Sequence, residues 1–175
     1  MAWTRSVMSV FTAAAALLGC DEGPSSNISF TSTPDVWTFV TAVGSAGPLL
    51  VDVRGNPFPG PDATVFADVT KAIAGTFTEP WLKFTNDAEL AASKEARLIW
   101  LLDPQSGFNA DLVCTGELPS LGAVRRVTEV RAVFCHRGRP LSAVHGWVRR
   151  PERSDDPKWR QLISQMARQL LTGRG

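Results

Sequence analysis

The chain contains 175 residues, 44% of them apolar and 20% charged, and its formal net charge is +1. This composition excludes a disordered or fibrous polypeptide, and the length fits one folded domain without internal repeats. The net charge conceals an asymmetry, because residues 21–124 contain 13 acidic and 5 basic side chains, whereas residues 125–175 contain 12 basic and 4 acidic ones. A basic C-terminal third favours contact with anionic lipid headgroups or an acidic partner, unless the two halves fold together and offset their charges.

The first segment in chain order is an apolar leader. One cation, Arg5, precedes an apolar run from Val7 to Leu18 that is too short to cross a bilayer, which takes about 20 apolar residues. A charged start, an apolar middle and small residues before a cleavage point are typical of an export signal. The run ends in LLGC (residues 17–20), which resembles the lipobox of bacterial lipoprotein signals.

The resemblance implies that residues 1–19 are a signal peptide and that Cys20 is lipidated and becomes the mature N-terminus, on the periplasmic side of a cell membrane. Several acyl chains hold a protein on a bilayer where one is marginal. Asp21 is similar to the residue that keeps enterobacterial lipoproteins in the inner membrane, which favours that membrane over the outer one. Two alternatives stay open: a secretory signal cut near an Ala-x-Ala site with Cys20 unmodified, and an uncleaved anchor. An exported protein is not expected to bind nucleic acid.

The rest of the chain is predicted as a polar tether over residues 20–28 and one domain over residues 29–175. We expect a mixed α+β fold, with helices packed on a sheet of about five strands, a C-terminal hairpin and a final helix. Thr33 is predicted to cap the first helix, with Pro34 and Asp35 in its first turn and Gly44 at its end. The β-branched residues in between leave a strand open as the alternative.

Apolar runs and their Gly, Pro and Asp boundaries predict the middle of the domain. The elements are, in order, a strand over 49–53, a proline-rich turn over 56–61, a helix over 63–74 capped by Asp62, a short strand over 81–85, a helical turn over 88–93 and a central strand over 96–102. Strand, turn and helix in this order indicate a βαβ unit. The loop that contains Cys114 has room for one helical turn.

The C-terminal third is predicted as a β-hairpin, with arms over 123–135 and 140–149, followed by a helix. In the first arm, alternation places Val130, Ala132 and Phe134 on one face and Val133 and Cys135 on the other. The final helix begins at Asp155-Asp156-Pro157. Its apolar stripe consists of Trp159, Leu162, Ile163, Met166 and Leu170.

The chain has three cysteines. If Cys20 carries lipid, Cys114 and Cys135 remain, and in an oxidising compartment such a pair forms a disulfide. Closing a loop of about 21 residues would stabilise the fold by roughly 3 kcal/mol in the chain-entropy model.

Two segments resemble the rhodanese family. The sequence LLVDVR (residues 49–54) is similar to that family's early strand, and VFCHRGRPLS (residues 133–142) is similar to its catalytic loop. The resemblance implies a sulfurtransferase in which Cys135 is the nucleophile, with Arg137 and Arg139 favouring its thiolate. A disulfide to Cys114 would remove that nucleophile.

Two other candidate sites are weaker. Cys114, Cys135, His136 and His145 are ligand types that suit zinc, but adjacent positions 135 and 136 point to opposite faces of a strand. Asp52 and Asp103 would lie near one edge of the sheet if their strands are parallel neighbours, where α/β sheets bind ligands. Either acid also fits a turn.

The main hypothesis is therefore a non-catalytic lipoprotein that binds the membrane through lipid and an envelope protein through its folded domain. We expect no cofactor and no metal. The order of elements resembles that of small lipoproteins of Gram-negative bacteria. The candidate binding patch consists of five arginines, Arg137, Arg139, Arg149, Arg150 and Arg153.

Overall fold

The computed structural model describes residues 23–32, 35–105, 107–122, 127–149 and 151–174. The strands are β1 (Ser25–Thr31), β2 (Leu49–Arg54), β3 (Phe84–Thr85), β4 (Ala96–Leu102), β5 (Val127–His136) and β6 (Arg139–Arg149), and the helices are α1 (Val36–Gly44), α2 (Asp62–Ala74), α3 (Ala110–Thr115) and α4 (Pro157–Thr172). All six strands form one sheet in the order β1-β6-β5-β4-β2-β3. The mixed α+β class is confirmed, with one strand more than the approximate number predicted.

Strand β4 lies in the middle of the sheet, as its apolar sequence predicts. It pairs in parallel with β2 and antiparallel with β5. Six of its seven residues are buried, with Arg97 the exception. Because α2 lies between the parallel strands β2 and β4 in the chain, the predicted βαβ unit is present.

The two faces of the sheet are covered by different elements. The face covered by α1, α2 and α4, here called the helix face, carries Leu98 and Trp100 of β4. The opposite face, here called the α3 face, carries Ile99 and Leu101 of the same strand, in a smaller cluster with the buried side of α3. Successive residues of β4 therefore enter two separate cores.

The hairpin of β5 and β6 closes through a two-residue turn rather than the four-residue connection predicted. Arg137 and Gly138 have φ angles of 49° and 72°, which is the positive-φ pair of a type I′ turn. The predicted alternation in β5 is confirmed, because Val130, Ala132 and Phe134 join the core of the helix face, whereas Val133 and Cys135 join that of the α3 face.

Helix α4 packs across β6 through the predicted stripe, and all five predicted residues are buried. Asp156 caps the helix, accepting a hydrogen bond from the Lys158 backbone N–H at 2.8 Å, and Pro157 is the first helical residue. The close approach of helix and sheet is eased by glycine at position 146, because any larger residue would push side chains of α4 aside. A Cβ there would lie 2.5 Å from Sδ of Met166 and 2.8 Å from Cδ1 of Leu162.

Strand β1 corrects the predicted start of the domain. Residues 25–28, assigned above to the tether, are the first part of an edge strand that pairs antiparallel with β6. The sequence SSNISFT lacks the apolar alternation of an inner strand, because an edge strand is held mainly by backbone pairing and most of its side chains are partly or fully exposed. The leader, Cys20 and Asp21 lie outside the described residues.

Three other boundaries differ from the prediction. Asp35 caps α1 by accepting a hydrogen bond from the Thr38 backbone N–H at 3.1 Å, and the predicted cap Thr33 lies outside the described residues, as does Pro34. Pro61 occupies the N-cap position of α2, and Asp62 is its first residue. Only Phe84 and Thr85 of the predicted strand over 81–85 pair with β2.

The predicted helical turn over 88–93 is shortened to a hydrogen-bonded turn over 88–90, in which the Leu90 backbone N–H donates to the Asp87 carbonyl at 3.2 Å. No residue of the segment is assigned to a helix. The segment starts with an Asx turn, in which Oδ1 of Asp87 accepts a hydrogen bond from the Glu89 backbone N–H at 2.8 Å. Such side-chain bonds compete with helix formation. No helix in the described ranges has the length and hydropathy to cross a bilayer.

Candidate functional site

Cys114 and Cys135 form the predicted disulfide. Cys114 lies in α3 and Cys135 in β5, their Cα atoms are 5.5 Å apart, and both residues are buried. The bond fastens α3 to the sheet.

The surroundings of Cys135 differ from the loop that the rhodanese resemblance implies. Cys135 pairs with Pro140 inside the hairpin, and the residues after the turn continue as strand β6. Successive backbone N–H groups in an extended strand point to opposite sides, so they do not converge on one atom. In this disulfide-bonded form, residue 135 is neither a thiol nor placed in an anion cradle.

The four candidate zinc ligands are not brought together as a metal site. Both sulfur atoms are in the disulfide, and the His136 ring packs on Phe39 with 4.5 Å between centroids. Among the described residues, no group of three or more His, Cys, Asp or Glu side chains is arranged to hold a metal.

The two candidate carboxylates have structural partners. Strands β2 and β4 are the parallel neighbours that the hypothesis required. Asp103, only 3% exposed, accepts a hydrogen bond from the Glu129 backbone N–H at 2.8 Å and joins the end of β4 to β5. Asp52 binds Arg54 through two hydrogen bonds of 2.6 and 3.1 Å, and this hydrogen bonding raises the pKa of Arg54.

The arginines of the predicted patch belong to two surfaces rather than one. Arg137 lies in the hairpin turn and Arg139 directly after it, whereas Arg149 ends β6 and Arg153 follows that strand. Eleven residues of strand separate these ends by about 33 Å. Arg137 pairs with Glu95 at 3.1 Å, and Arg153 with Asp155 at 2.8 and 2.7 Å. Arg150 lies outside the described residues.

A cluster of charged and aromatic side chains lies on the α3 face beyond α3. Nε of Arg131 donates a hydrogen bond to Oε1 of Glu129 at 2.9 Å. Nε2 of His145 lies 3.0 Å from the same oxygen but without hydrogen-bond geometry. Burial and the nearby Arg131 charge lower the pKa of His145, while Glu129 opposes the shift. The His145 ring packs against Trp147, which is 38% exposed.

The first described residues enter the fold beside Trp147. Gly23, Pro24 and Ser25 line a recess of about 400 Å³ together with Trp147 and Arg149. Ser25 is the register partner of Trp147 in the sheet. The segment that follows Cys20 in sequence therefore meets the fold at the Arg149 end of β6, away from the hairpin turn.

A groove of about 720 Å³ lies along the second half of α4, between that helix, α1 and the loop after α2. We call it the α4 groove, and its lining includes Trp37, Phe77, Gln165 and Arg168. The groove was not predicted from the sequence. The available signal was the polar stripe at positions 165, 168, 169 and 172, which follows helical spacing beside the apolar stripe of α4.

The chain matches no protein-family model and no curated protein. Among solved structures it is similar to the PelC dodecamer from Paraburkholderia phytofirmans, at a TM-score of 0.40 and 10% identity, over 85% of this chain and 95% of that one. A single-residue variant of the same dodecamer gives a TM-score of 0.39 at the same identity and coverage. Statements about the function of this chain therefore depend on its own residues.

Proposed function

We propose that the chain is a lipid-anchored protein of the cell envelope, attached through Cys20 after removal of residues 1–19, whose domain binds a partner rather than catalysing a reaction. The observation that carries the proposal is the pairing of Cys114 with Cys135. The chain has three cysteines, so the one outside the disulfide is Cys20, which ends the lipobox-like LLGC. A structural disulfide also fits an oxidising compartment.

The place where the chain enters the fold supports an orientation on the membrane. Two residues lie between Cys20 and Gly23, so the two Cα atoms are at most about 11 Å apart. Acyl chains on Cys20 would therefore be held close to Trp147 and Arg149. Tryptophan prefers the bilayer interface, and arginine is attracted to anionic headgroups. We infer that this end of β6 rests on the lipid surface.

The partners of the candidate catalytic groups support a binding role. Cys135 is bonded to Cys114, Asp103 accepts a backbone hydrogen bond, and Asp52 is held by Arg54. Each group thus has a structural use that accounts for its position. A binding domain requires no other chemistry from them.

The anchor is tested by comparing cysteine variants in growing bacteria. We expect Cys20→Ser to abolish incorporation of an alkyne-labelled fatty acid and to leave residues 1–19 uncleaved. The matched control is the double variant Cys114→Ser/Cys135→Ser, which removes the other two thiols and should keep the label. Labelled Cys20→Ser protein would overturn the proposal.

The orientation is tested with charge reversals at the two ends of the hairpin. We expect Arg149→Glu/Arg150→Glu to weaken binding of the unlipidated mature chain to phosphatidylglycerol vesicles by more than tenfold at low salt, since each basic side chain near the surface contributes about 1 kcal/mol. The difference should shrink at high salt. The control Arg137→Glu/Arg139→Glu, at the distant turn, should bind nearly as well as the unaltered chain. Equal weakening by both pairs contradicts the orientation.

A further inference from the structure

The α4 groove has the dimensions of a ligand site. Its volume of about 720 Å³ falls within the range of about 300–1,000 Å³ typical of small-molecule sites. Three segments distant in sequence form it: the start of α1, residues 76–79 after α2, and the second half of α4. A ligand there would contact the part of the molecule that the anchor and the disulfide do not involve.

One wall of the groove is aromatic and firmly supported. Trp37 and Phe77 are stacked, with ring centroids 6.0 Å apart and planes inclined by 23°. Trp81 packs against Trp37 at 5.9 Å, and Trp37 and Phe77 both pack against the core of the helix face. Aromatic faces carry partial negative charge and attract the polarised C–H bonds of a flat ligand.

The opposite wall is a stripe of hydrogen-bonding side chains on α4. Gln165, Arg168, Gln169 and Thr172 are spaced so that successive turns present them on one side of the helix. The amides both donate and accept, and the guanidinium donates. The Thr172 hydroxyl already donates to the Arg168 backbone carbonyl at 2.7 Å, so it shapes the stripe rather than binding a ligand. Oε1 of Gln169 accepts a hydrogen bond from Oγ of Ser26 at 2.7 Å, which fixes the orientation of this amide.

The charges around the groove balance. Asp35 and Glu79 contribute two negative charges, and Arg168 and Arg174 contribute two positive charges. The groove therefore selects neither an anion nor a cation. It suits a neutral molecule with an apolar flat side and an edge rich in hydroxyl groups.

We propose that the α4 groove binds a neutral saccharide, with a sugar ring against Trp37 and Phe77 and its hydroxyl groups bonded to the α4 stripe. An apolar peptide side chain would use the aromatic wall but leave Gln165 and Arg168 without ligand partners. The inference deepens the proposed binding role by naming a ligand class. It does not depend on the lipid anchor, so its failure would leave the anchor unaffected.

The groove would be accessible on an anchored molecule. Strand β1 begins beside Trp147 and ends beside Ser142, and Gly173 at the end of α4 lies 3.6 Å from Thr31 when measured from an ideal Cβ. The groove extends along α4 from Gln169, which is bonded to Ser26 near the anchored end of β1, to the helix end beside Thr31, about 20 Å from that end. The end of the groove beside Thr31 therefore leaves room for a glycan chain above the lipid surface.

The test is calorimetric titration of the mature chain with chitotetraose and cellotetraose, two neutral oligosaccharides, and with the anionic tetragalacturonate. We expect at least one neutral probe to bind, and tetragalacturonate to bind at least tenfold more weakly. Gln165→Ala/Arg168→Ala should reduce the affinity for the neutral probe about tenfold. The matched control is Arg160→Ala/Gln161→Ala, which removes the same two side-chain types from exposed positions of the same helix and should bind like the unaltered chain.

Three results would overturn the proposal. They are failure of both neutral probes to bind the folded chain, tighter binding of tetragalacturonate, and equal affinities for the groove and control variants. In NMR spectra recorded during the titration, a shift of the Trp37 indole N–H resonance should locate the ligand at the aromatic wall. A bound probe that shifts only residues outside the α4 groove contradicts the assigned site.

Discussion

The two faces of the sheet reach stability by different means. Among the described residues, 26 buried side chains form the core of the helix face, under α1, α2 and α4. The corresponding core of the α3 face has seven, and two of these are Cys114 and Cys135. A six-residue helix cannot bury enough apolar surface to hold itself in place, so a covalent bond supplements the packing. The comparison indicates that the helix face determines the fold and that α3 is attached to it.

The largest difference in stability should come from truncating, one at a time, two leucines that lie on opposite sides of one strand. Leu98 and Leu101 are both fully buried in β4, on the helix face and the α3 face respectively. We expect Leu98→Ala to lower the free energy of unfolding by about 4 kcal/mol and Leu101→Ala by about 2 kcal/mol, because the thin α3 layer can collapse into the cavity more readily. Urea denaturation measures both, and equal losses would contradict the comparison.

The disulfide should contribute slightly less to the free energy of unfolding than the Leu98 side chain does. We expect Cys114→Ala/Cys135→Ala to lower the free energy of unfolding by about 3 kcal/mol, because the bond restricts the unfolded chain. Hydrogen exchange should increase in α3 far more than in α4. Reducing the unaltered protein should reproduce both effects. A loss below about 1 kcal/mol would mean that packing alone holds α3.

The smallest effect should be a pH dependence of the free energy of unfolding that arises from His145, in the cluster beyond α3. Burial and Arg131 hold the pKa of His145 below its ordinary value, so the unfolded chain binds the proton more readily than the folded chain. Stability from this group is complete above about pH 6.5 and falls as the pH drops toward the folded-state pKa. Denaturation of the unaltered chain and of His145→Gln between pH 7.5 and 5 measures it. If His145→Gln loses as much stability over this pH range as the unaltered chain, another group causes the pH dependence.

Sequence patterns predicted the elements that are stabilised by burial of their own apolar side chains. Strand β4 and helix α4 follow from apolar runs and spacing, and the alternation in β5 placed Cys135 on the correct face. Strand β1 could not be recognised in this way. Its hydrogen bonds go to β6, and that pairing depends on residues distant in the chain.

The candidate sites were harder to predict than the elements. The pairing of Cys114 with Cys135 follows from cysteine counting. The arginines were grouped into one patch because they are basic and near one another in the sequence. Their division between two ends required the length of the hairpin, because sequence proximity says little about spatial proximity. The α4 groove combines Trp37, Phe77 and Gln165 from three elements. Only the packing of α1 and α2 beside α4 reveals it.

The pairing of β1 with β6 has a consequence for folding kinetics. Ser25 pairs with Trp147 and Thr31 with Ser142, across more than 100 residues of chain. Such non-local contacts are formed slowly, since a long loop must be closed before they stabilise anything. The edge of the sheet can therefore be completed only after most of the polypeptide has emerged, whether from a ribosome or from a membrane channel. Until then the exposed border of β6 is a template for pairing with other chains.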